Sequence, residues 1–326
     1  MKSFPIQKNK NIIIIGDVML DQFYYGNVED TSKEDPLAKI LKVKSDDYNL
    51  GGAGNVAMNI KAMDSNPYLI AVIGGDQNGE KIKSLCIKNE IAQEGILIDN
   101  QRITTAKTRL YDENQIIRFD EEECHNISRE IEDKIIQHFE VLLNSAKIDG
   151  LILQDYNKGV LNKTSISRIL AIAKKNNLSI FVDPKKDNFF GYKDVTIVKP
   201  NLREINWAIP DQSYQEAAKT ILQKSNCEIA AITLSADGIY CLSQKKSQLY
   251  PSLANNIVDV CGAGDTVIAI LSLSYLSKCN MNHMAIIANL AAADVCNSQG
   301  VIPVNYGKLS DLWLSLYKDK KKYDIA

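Results

Sequence analysis

The chain has 326 residues, of which 45% are hydrophobic and 24% charged, a composition typical of a folded globular protein rather than a disordered one. Lysine and arginine number 38 against 40 aspartate and glutamate residues, a formal net charge of −2, so the composition indicates neither nucleic acid nor an anionic membrane as a partner. No apolar run approaches the roughly 18 residues of a membrane span. The seven cysteines are scattered without a C-x-x-C pair, which argues against a disulfide framework or a zinc site and favours a reducing cytoplasm.

Short apolar runs that end in a polar residue recur along the chain, and most of them lead into a helical pattern. They cover residues 11–15, 69–73, 151–153, 180–182, 196–198 and 230–234. Helical periodicity is found at 128–146, 163–175 and 215–224, and in the last third at 264–276, 282–295 and 309–320. Strands that alternate with helices of this length predict an α/β fold with a doubly wound, mostly parallel sheet covered on both faces.

Two segments, 22–43 and 102–119, break this alternation and show short β-type patterns. In the second segment, Asp112-Glu113-Asn114 is typical of a hairpin turn between two short strands. Both segments are inserted between elements of the α/β body. We therefore expect a small β-sheet that forms a lid within a single domain spanning residues 1–326.

Polar residues stand directly after several of the apolar runs. In an open α/β sheet, ligands bind at the carboxyl ends of the strands, so these residues are the first candidates for a site. Each of them can also serve only to cap the next helix, but their accumulation along one edge favours a functional role. The candidates are Asp17, Asp21, Asp76, Asp155, Asp183 and Asn201.

The first glycine-rich segment is Gly51-Gly52-Ala53-Gly54-Asn55, which opens an alanine-rich helix. Glycine lets the backbone come close to a ligand, and amides at a helix N-terminus attract oxygen atoms. Asn55 and Asn59 are four residues apart, so they share one face of this helix. The segment is therefore a candidate for ligand binding.

The second glycine-rich segment, Gly262-Ala263-Gly264-Asp265, leads directly into another helix. Its three consecutive amides are expected to converge on an anion. A carboxylate beside such a site is electrostatically unfavourable unless it accepts a proton from a hydroxyl that attacks a bound phosphate. An aspartate that only interacts favourably with the helix dipole is the alternative.

These motifs resemble those of the ribokinase-like, or PfkB-type, carbohydrate kinases. Gly262-Ala263-Gly264-Asp265 is similar to the C-terminal signature of that family, and Gly51-Gly52 with Asn55 is similar to its N-terminal signature. A narrower resemblance is to the D-glycero-D-manno-heptose 7-phosphate kinases. It rests on Gly16-Asp17-Val18-Met19-Leu20-Asp21, Asn55-Val56-Ala57-Met58-Asn59, Asp155-Tyr156-x-Lys158-Gly159, Asp183-Pro184-Lys185 and Pro200-Asn201-x-x-Glu204.

The narrower resemblance implies ATP-dependent phosphorylation of the C1 hydroxyl of the heptose, on the way to ADP-heptose for lipopolysaccharide cores. Such kinases often form one half of a bifunctional protein with a nucleotidyltransferase. This sequence has no H-x-G-H motif, so we expect the nucleotidyltransferase to be separate.

The resemblance also implies a role for each matching residue. Asp265 is the catalytic base, and the amides of Gly262, Ala263 and Gly264 form an anion hole for the transferring phosphoryl group. The implied substrate-binding residues are Asp17, Asp21, Gly51, Gly52, Asn55, Asn59 and Asp183. The implied nucleotide-binding residues are Asn201, Thr233, Ser235, Gly238 and Asn289, with Glu204 for Mg²⁺. A monovalent cation is a possible further cofactor, and the lid is expected to form the contact of a homodimer.

A 7-phosphate is dianionic near neutral pH, so its end of the pocket is expected to be cationic. Lys158 and Lys185 lie inside the family-like motifs, and Arg109 and Arg118 lie on the lid hairpin. Arginine suits bidentate contacts to phosphate. Ordinary surface charge is the alternative for each of these four residues.

Two positions depart from the family pattern. Ser235 stands where the nucleotide loop usually has a glycine, and Cys261 stands where a threonine is usual. We expect either change to affect the handling of the nucleotide or the monovalent cation. Two other functions remain open: a PfkB-type kinase for another sugar or sugar phosphate, and a catalytically silent sugar-binding regulatory protein.

Overall fold

The computed structural model describes residues 3–32, 34–35, 37–254 and 257–318. Both ends of the predicted domain 1–326, two positions of the predicted lid segment 22–43 and the last two residues of the predicted helix 309–320 therefore lie outside the described residues. Within the described ranges the chain forms two β-sheets and nine α-helices.

Thirteen strands occur in the described residues. They are β1 (Asn11–Gly16), β2 (Val18–Thr31), β3 (Lys39–Gly52), β4 (Asn66–Ile73), β5 (Ile96–Ile98), β6 (Ala106–Asp112), β7 (Asn114–Glu121), β8 (Gly150–Gln154), β9 (Ser179–Asp183), β10 (Ile197–Val198), β11 (Ile229–Thr233), β12 (Ile239–Ser243) and β13 (Ser247–Tyr250).

The helices follow in the same order. They are α1 (Ala53–Ala62), α2 (Gln77–Lys88), α3 (Arg129–Ser145), α4 (Lys163–Lys175), α5 (Leu202–Ala208), α6 (Tyr214–Ser225), α7 (Ala263–Leu276), α8 (Met281–Cys296) and α9 (Tyr306–Lys318). A short 3-10 helix covers Ser235–Asp237.

The larger sheet has the strand order β13-β12-β11-β10-β9-β8-β1-β4-β5 in the described part of the chain. The seven strands from β11 to β5 run parallel, and β12 and β13 add an antiparallel edge. The six strands expected from the apolar runs all belong to the parallel part. The doubly wound, mostly parallel sheet is therefore confirmed, whereas β5 and the antiparallel edge were not expected from the sequence.

The central strand β1 shows why both faces of this sheet are covered. Ile12 and Ile14 pack into one hydrophobic cluster, and Ile13 and Ile15 pack into another. Helices α1, α7 and α8 supply apolar side chains to the first cluster, while α3, α4 and α6 supply them to the second. A continuous run of isoleucines fits only a strand buried on both sides, because neighbouring side chains point to opposite faces.

The smaller sheet has the order β3-β2-β6-β7 and contains most of the two segments expected to form a lid, so it is called the lid sheet or lid below. The pairs β2–β3 and β6–β7 are antiparallel, and β2 and β6 are parallel. The expected hairpin turn is present, with Glu113 in the left-handed region at φ 57°. The bounds differ from those predicted, because β2 already begins at Val18 and β3 runs on to Gly52, whereas residues 102–105 precede the sheet.

The first glycine-rich segment is thus the end of a lid strand followed by a helix. Gly51 pairs with Met19, and a Cβ atom at position 51 would lie 2.2 Å from Asp21 Oδ2. Gly52 has φ 57° and ψ −128°, a backbone conformation that side-chain-bearing residues rarely adopt. These two glycines let the strand turn into α1 directly beside the Asp21 carboxylate.

Candidate active site

The carboxyl ends of the parallel strands meet at one edge of the larger sheet. In the register of the sheet, Gly16 of β1 lies beside Gln154 of β8, and Gln154 lies beside Asp183 of β9. Lys199 follows the end of β10, and Thr233 ends β11. The strand-end rule applied to the sequence therefore leads to one contiguous row of polar side chains.

Helix α7 begins over this row. Its N-cap is Gly262, which has φ 78° and ψ −4° in the left-handed region, and a Cβ atom there would lie 2.5 Å from Asn55 Nδ2. Gly262 is required for both reasons, because a side chain would strain the backbone and displace Asn55. The first amides of α7 then lie at the edge of the sheet with Asp265 in the first helical turn.

Three side chains donate hydrogen bonds to the buried Asp265 carboxylate. Gln154 Nε2 and the Tyr156 hydroxyl donate to Oδ1 at 2.9 and 2.8 Å, and Asn55 Nδ2 donates to Oδ2 at 3.0 Å. The side chain is only 3% exposed. The carboxylate is therefore fixed in orientation by groups from α1, β8 and the loop that follows β8.

The environment of Asp265 tunes its acidity toward neutrality. Burial raises the pKa of Asp265 to about 7, and the nearby Asp183 adds to this rise. The hydrogen bonds from Asn55 and Tyr156 and the charge of Lys199 act in the opposite direction. A carboxyl group with a pKa near 7 can both accept a proton from an alcohol and release it again at physiological pH, as a general base must.

A cavity of about 660 Å³ opens in front of the α7 N-terminus. The five residues expected to bind a nucleotide all line it, and so do the three residues of the anion hole and Glu204. They are Asn201, Thr233, Ser235, Gly238 and Asn289, with Gly262, Ala263 and Gly264. Residues from widely separated parts of the sequence thus surround one space, although the binding role of each stays a prediction.

The backbone explains the glycine-type positions of this cavity. Ser235 has φ 53°, which is the left-handed region, so a glycine there would be relaxed where the serine is strained. Gly238 has φ 98°, and a Cβ atom at that position would lie 2.1 Å from the Tyr250 carbonyl oxygen. The departure at Ser235 is accommodated without loss of the turn.

Asn201 and Glu204 form a reciprocal cap at the start of α5. Asn201 Oδ1 accepts from the Glu204 amide at 2.9 Å, and Glu204 Oε2 accepts from the Asn201 amide at 2.8 Å. The capping role that the sequence left as an alternative is therefore present. Glu204 Oε1 also accepts from Asn201 Nδ2 and forms an ion pair with Lys185, while burial and the nearby Asp183 raise the pKa of the Glu204 carboxyl group.

Mg²⁺ in phosphotransfer sites is commonly held by one or two carboxylates together with substrate phosphates. Glu204 and Asp183 both line the cavity, and Asp183 Oδ1 is buried without a hydrogen-bond partner among the described residues. This oxygen and the Glu204 carboxylate fit such a donor set. No group of three or more side chains able to hold a metal ion occurs in the described ranges.

The residues expected to bind the sugar lie where α1 and the lid meet the sheet. Asp21 on β2 forms a buried ion pair with Arg109 on β6, at 2.7 Å between Oδ1 and Nη1. Arg109 also lies over the Phe23 ring, 5.1 Å from its centroid. Burial raises the pKa of the Cys261 thiol to about 12, and the nearby charges of Asp21 and Arg109 also act on it. The lid charges therefore approach the loop before the anion hole.

Two of the residues expected to bind the sugar also hold other parts of the site in place. Asp17 accepts hydrogen bonds from the amides of Tyr156, Lys158 and Val160 at 2.7, 3.1 and 3.3 Å, which fixes the loop that carries Tyr156. Asn59 is completely buried and donates to the backbone and side-chain oxygens of Asn55 at 2.9 and 3.1 Å. In this arrangement Asn59 orients Asn55 and has no surface for a ligand.

The four cations expected to hold a substrate phosphate divide into two groups. Lys185 lies on the cavity side, held by Glu204 and positioned 4.6 Å from the centre of the Tyr156 ring. Lys158 pairs with Glu122 at 2.8 Å, and Arg118 pairs with Asp120 at 2.6 Å, both near the lid. Lys185 thus lines the same cavity as the residues expected to bind the nucleotide, and its role in holding a substrate phosphate stays a prediction.

Three site residues were not identified from the sequence: Gln154, Tyr156 and Lys199. Gln154 donates to both Asp265 and Asp183, and Lys199 forms an ion pair with Asp183 at 3.2 Å between Nζ and Oδ2. Gln154 and Lys199 stand at strand ends, so the rule that selected Asp183 could have selected them. Tyr156 lies within the heptose-kinase-like motif that begins at Asp155, but its role could not be assigned, because only the fold of its loop directs the hydroxyl to Asp265.

The fold and this site define a ribokinase-like α/β kinase. The structure is similar to phosphofructokinase-2 from Escherichia coli in complex with potassium, with a TM-score of 0.78 over 95% of this chain and 99% of that chain at 16% identity. It is also similar to ribokinase from Thermotoga maritima, with a TM-score of 0.69 over 94% and 99% of the two chains at 17% identity. At these identities the likeness shows the fold.

The sequence gives the family. Residues 9–305 match the pfkB family carbohydrate kinases, and the chain belongs to that family, so it is a sugar kinase. It is 34% identical to the bifunctional protein HldE of Aliarcobacter butzleri, over 98% of this chain and 68% of that protein. It is 35% identical to the bifunctional protein HldE of Helicobacter pylori (strain HPAG1), over 89% of this chain and 64% of that protein. The chain thus spans about two thirds of the length of these relatives.

Proposed function

We propose that this sugar kinase transfers the γ-phosphoryl group of ATP to the C1 hydroxyl of D-glycero-D-manno-heptose 7-phosphate, which yields the 1,7-bisphosphate. The observation that carries the proposal is the position of Asp265, a buried carboxyl group with a pKa near 7 beside the α7 N-terminus. The choice of sugar is supported by the heptose-kinase-like motifs and by relatives named bifunctional protein HldE. The product is a precursor on the way to ADP-heptose and lipopolysaccharide cores.

The reaction needs an in-line displacement at the γ-phosphorus. The C1 oxygen forms a bond to phosphorus, the bond to the β–γ bridging oxygen breaks, and the electron pair leaves with ADP. Asp265 accepts the proton of the hydroxyl, while Asn55 and Gln154 keep its carboxylate in place. The amides at Gly262, Ala263 and Gly264 are placed to bind the phosphoryl oxygens.

Mg²⁺ would be held on the cavity side by Glu204 and Asp183 and would neutralise charge on the phosphates of ATP. Lys185, which lies between these two carboxylates, adds a positive charge to the same wall. A monovalent cation near the α7 N-terminus is proposed from the family resemblance alone.

The substrate's own phosphate is assigned to the lid side. Arg109, Arg118 and Lys158 are the candidates there, although each has an acidic partner in this structure. A dianionic phosphate can compete with Asp120 for the exposed Arg118, because charge-assisted contacts to phosphate are stronger than exposed ion pairs. Binding of the sugar phosphate would then draw the lid toward the sheet and exclude water from the reaction.

We also propose a homodimer formed through the lid. Large apolar side chains on the two outer strands of the lid sheet are exposed, and their burial between two subunits would stabilise a pair. They are Ile40 and Val43 on β3 and Ile116, Ile117 and Phe119 on β7.

Among the described helices, none has the length and hydrophobicity needed to cross a membrane. A cytoplasmic location is proposed from the reduced cysteines and the nucleotide substrate.

An ADP-release assay over a panel of acceptors tests this proposal. The panel contains the heptose 7-phosphate, the unphosphorylated heptose, fructose 6-phosphate and ribose, and ³¹P NMR of the product locates the new phosphate. One to two charge-assisted contacts predict a kcat/KM about 10- to 100-fold higher for the 7-phosphate than for the unphosphorylated heptose. Equal use of both would remove the heptose 7-phosphate assignment, preference for another acceptor would favour a different sugar kinase, and binding without ADP release would favour a silent sugar-binding protein.

A further inference from the structure

The proposed mechanism gives no role to Lys199, a deeply buried charged side chain in the cavity wall. It is 2% exposed and lies directly after β10, at the same sheet edge as Asp183 and Gln154. Burial of an ammonium group is costly unless it is paired, and it carries three donors. The contact to Asp183 Oδ2 at 3.2 Å occupies one of them.

The ammonium group of Lys199 lies beside the anion hole. A side chain built on Gly264 would begin 3.7 Å from Lys199 Nζ, and Lys199 lines the same cavity as the anion-hole residues. Its charge also acts on Asp265, which stands in the same helical turn as Gly264. Lys199 is therefore next to both the expected phosphoryl position and the base.

The neighbouring cations are differently placed. Lys185 is held by Glu204, next to the Tyr156 ring, and Arg203 lies over the Trp207 ring, 4.7 Å from its centroid. Asp183 is in turn held by Gln154 Nε2 at 3.0 Å, and the same Gln154 nitrogen contacts Asp265 at 2.9 Å. Asp183 and Gln154 thus fix the Lys199 ammonium group and the base relative to each other.

We propose that Lys199 is a catalytic residue that contacts the oxygens of the transferring phosphoryl group, beside the amides of the anion hole. This inference rests on the proposed kinase function. In the transition state, negative charge is spread over three equatorial oxygens, and the amides and Lys199 together stabilise it. No proton is transferred to or from Lys199, because the proton of the attacking hydroxyl goes to Asp265.

The test is Lys199→Met, which keeps the length of the side chain and removes the charge. Loss of a preorganised donor to a transition-state oxyanion lowers kcat about 10²- to 10³-fold. We also expect ATP affinity, measured by calorimetry, to fall about tenfold while ADP affinity changes less than threefold, because ADP has no γ-phosphate. Lys174→Met, which breaks an exposed ion pair with Asp194, is the matched control and should behave as the wild type.

The pH dependence separates this role from a purely electrostatic effect on the base. Removal of the Lys199 charge raises the pKa of Asp265, so part of the loss at pH 7 comes from protonation of the base. At pH 9 the base of the wild type is ionised, and the plateau of the kcat–pH profile shows where the base of the variant is ionised as well. A kcat deficit that persists on that plateau supports the contact to the phosphoryl group, and a deficit that disappears there overturns it.

Two further results decide the remaining cases. If Lys199→Met does not fold, Lys199→Arg keeps the charge and the pair with Asp183. A purely structural role then predicts wild-type kcat, whereas a contact that depends on the ammonium position predicts a loss of at least tenfold. If the wild type phosphorylates none of the sugars, the proposed function fails. The ratio of ATP to ADP affinity in the variant still tests Lys199, and an equal loss for both nucleotides overturns the inference.

Discussion

Replacement of Asp265 by asparagine is the most direct test of the site. The change keeps the volume of the side chain and removes the proton acceptor. General base catalysis typically contributes about 10²- to 10⁴-fold, so we expect kcat to fall by that factor. Binding of ATP and sugar should change little, because the backbone amides of α7 are untouched.

The surroundings of Asp265 also predict how the variant folds. Three donors, from Asn55, Gln154 and Tyr156, converge on its two carboxylate oxygens. An asparagine has one acceptor oxygen and one amino group, so at least one of these donors loses its acceptor, at a cost of about 1–3 kcal/mol. The loss of a buried charge offsets part of this cost.

The pH dependence has a defined sign for both activity and stability. Because burial raises the pKa of Asp265 from 3.8 to about 7, kcat should rise with pH through that region, with about one tenth of the base ionised at pH 6. The folded state binds the proton more tightly than the unfolded state. The contribution of Asp265 to the stability of the folded state is therefore present below pH 4 and is lost as pH rises toward 7. The Asp265→Asn variant should lack this pH-dependent contribution.

Steady-state kinetics by ADP release, calorimetric binding of ATP and urea unfolding at pH 4.5 and 7.5 measure these effects. Asp64→Asn, which alters an exposed ion pair with Lys8, is the matched control. A kcat within threefold of the wild type in Asp265→Asn would refute the assignment of the base. Loss of ATP binding together with kcat would instead indicate a disrupted anion hole.

Three other outcomes are expected. Asn55→Ala removes a hydrogen bond that lowers the pKa of Asp265, so the kcat–pH profile should shift to higher pH; an unchanged profile would contradict the contact. Lys185→Ala should raise the KM for ATP about tenfold, because Lys185 lies beside Glu204, and should leave the ratio of kcat/KM for phosphorylated and unphosphorylated sugar unchanged. A selective loss of kcat/KM for the sugar phosphate would instead support the phosphate-binding role expected from the sequence. Saturating sugar phosphate should slow hydrogen exchange in β6 and β7 if the lid closes, and equal exchange with and without the ligand would exclude closure.

The sequence by itself determined the alternation of strands and helices, the presence of a second sheet and the two glycine-rich segments. These features depend on local pattern: four consecutive isoleucines in β1 favour a strand buried on both faces, and Gly262 is needed where the backbone turns into α7. The family resemblance added roles for residues such as Asp265 and Asn201. In the structure Asn201 lines the cavity, and Asp265 lies in the first turn of α7, the helix whose N-terminal residues line the same cavity.

The tertiary structure alone decided which polar side chains meet. Lys185 follows the Asp183 strand end in sequence, and only the packing of α5 places the Glu204 carboxylate against it. Asn59 shares a helix face with Asn55 but lies beneath it, where Val304 and Thr266 fill its remaining contacts. Gln154 and Lys199 gained their positions only when neighbouring strands came together. Local spacing fixes the direction of a side chain, whereas its partners depend on elements far away in the chain.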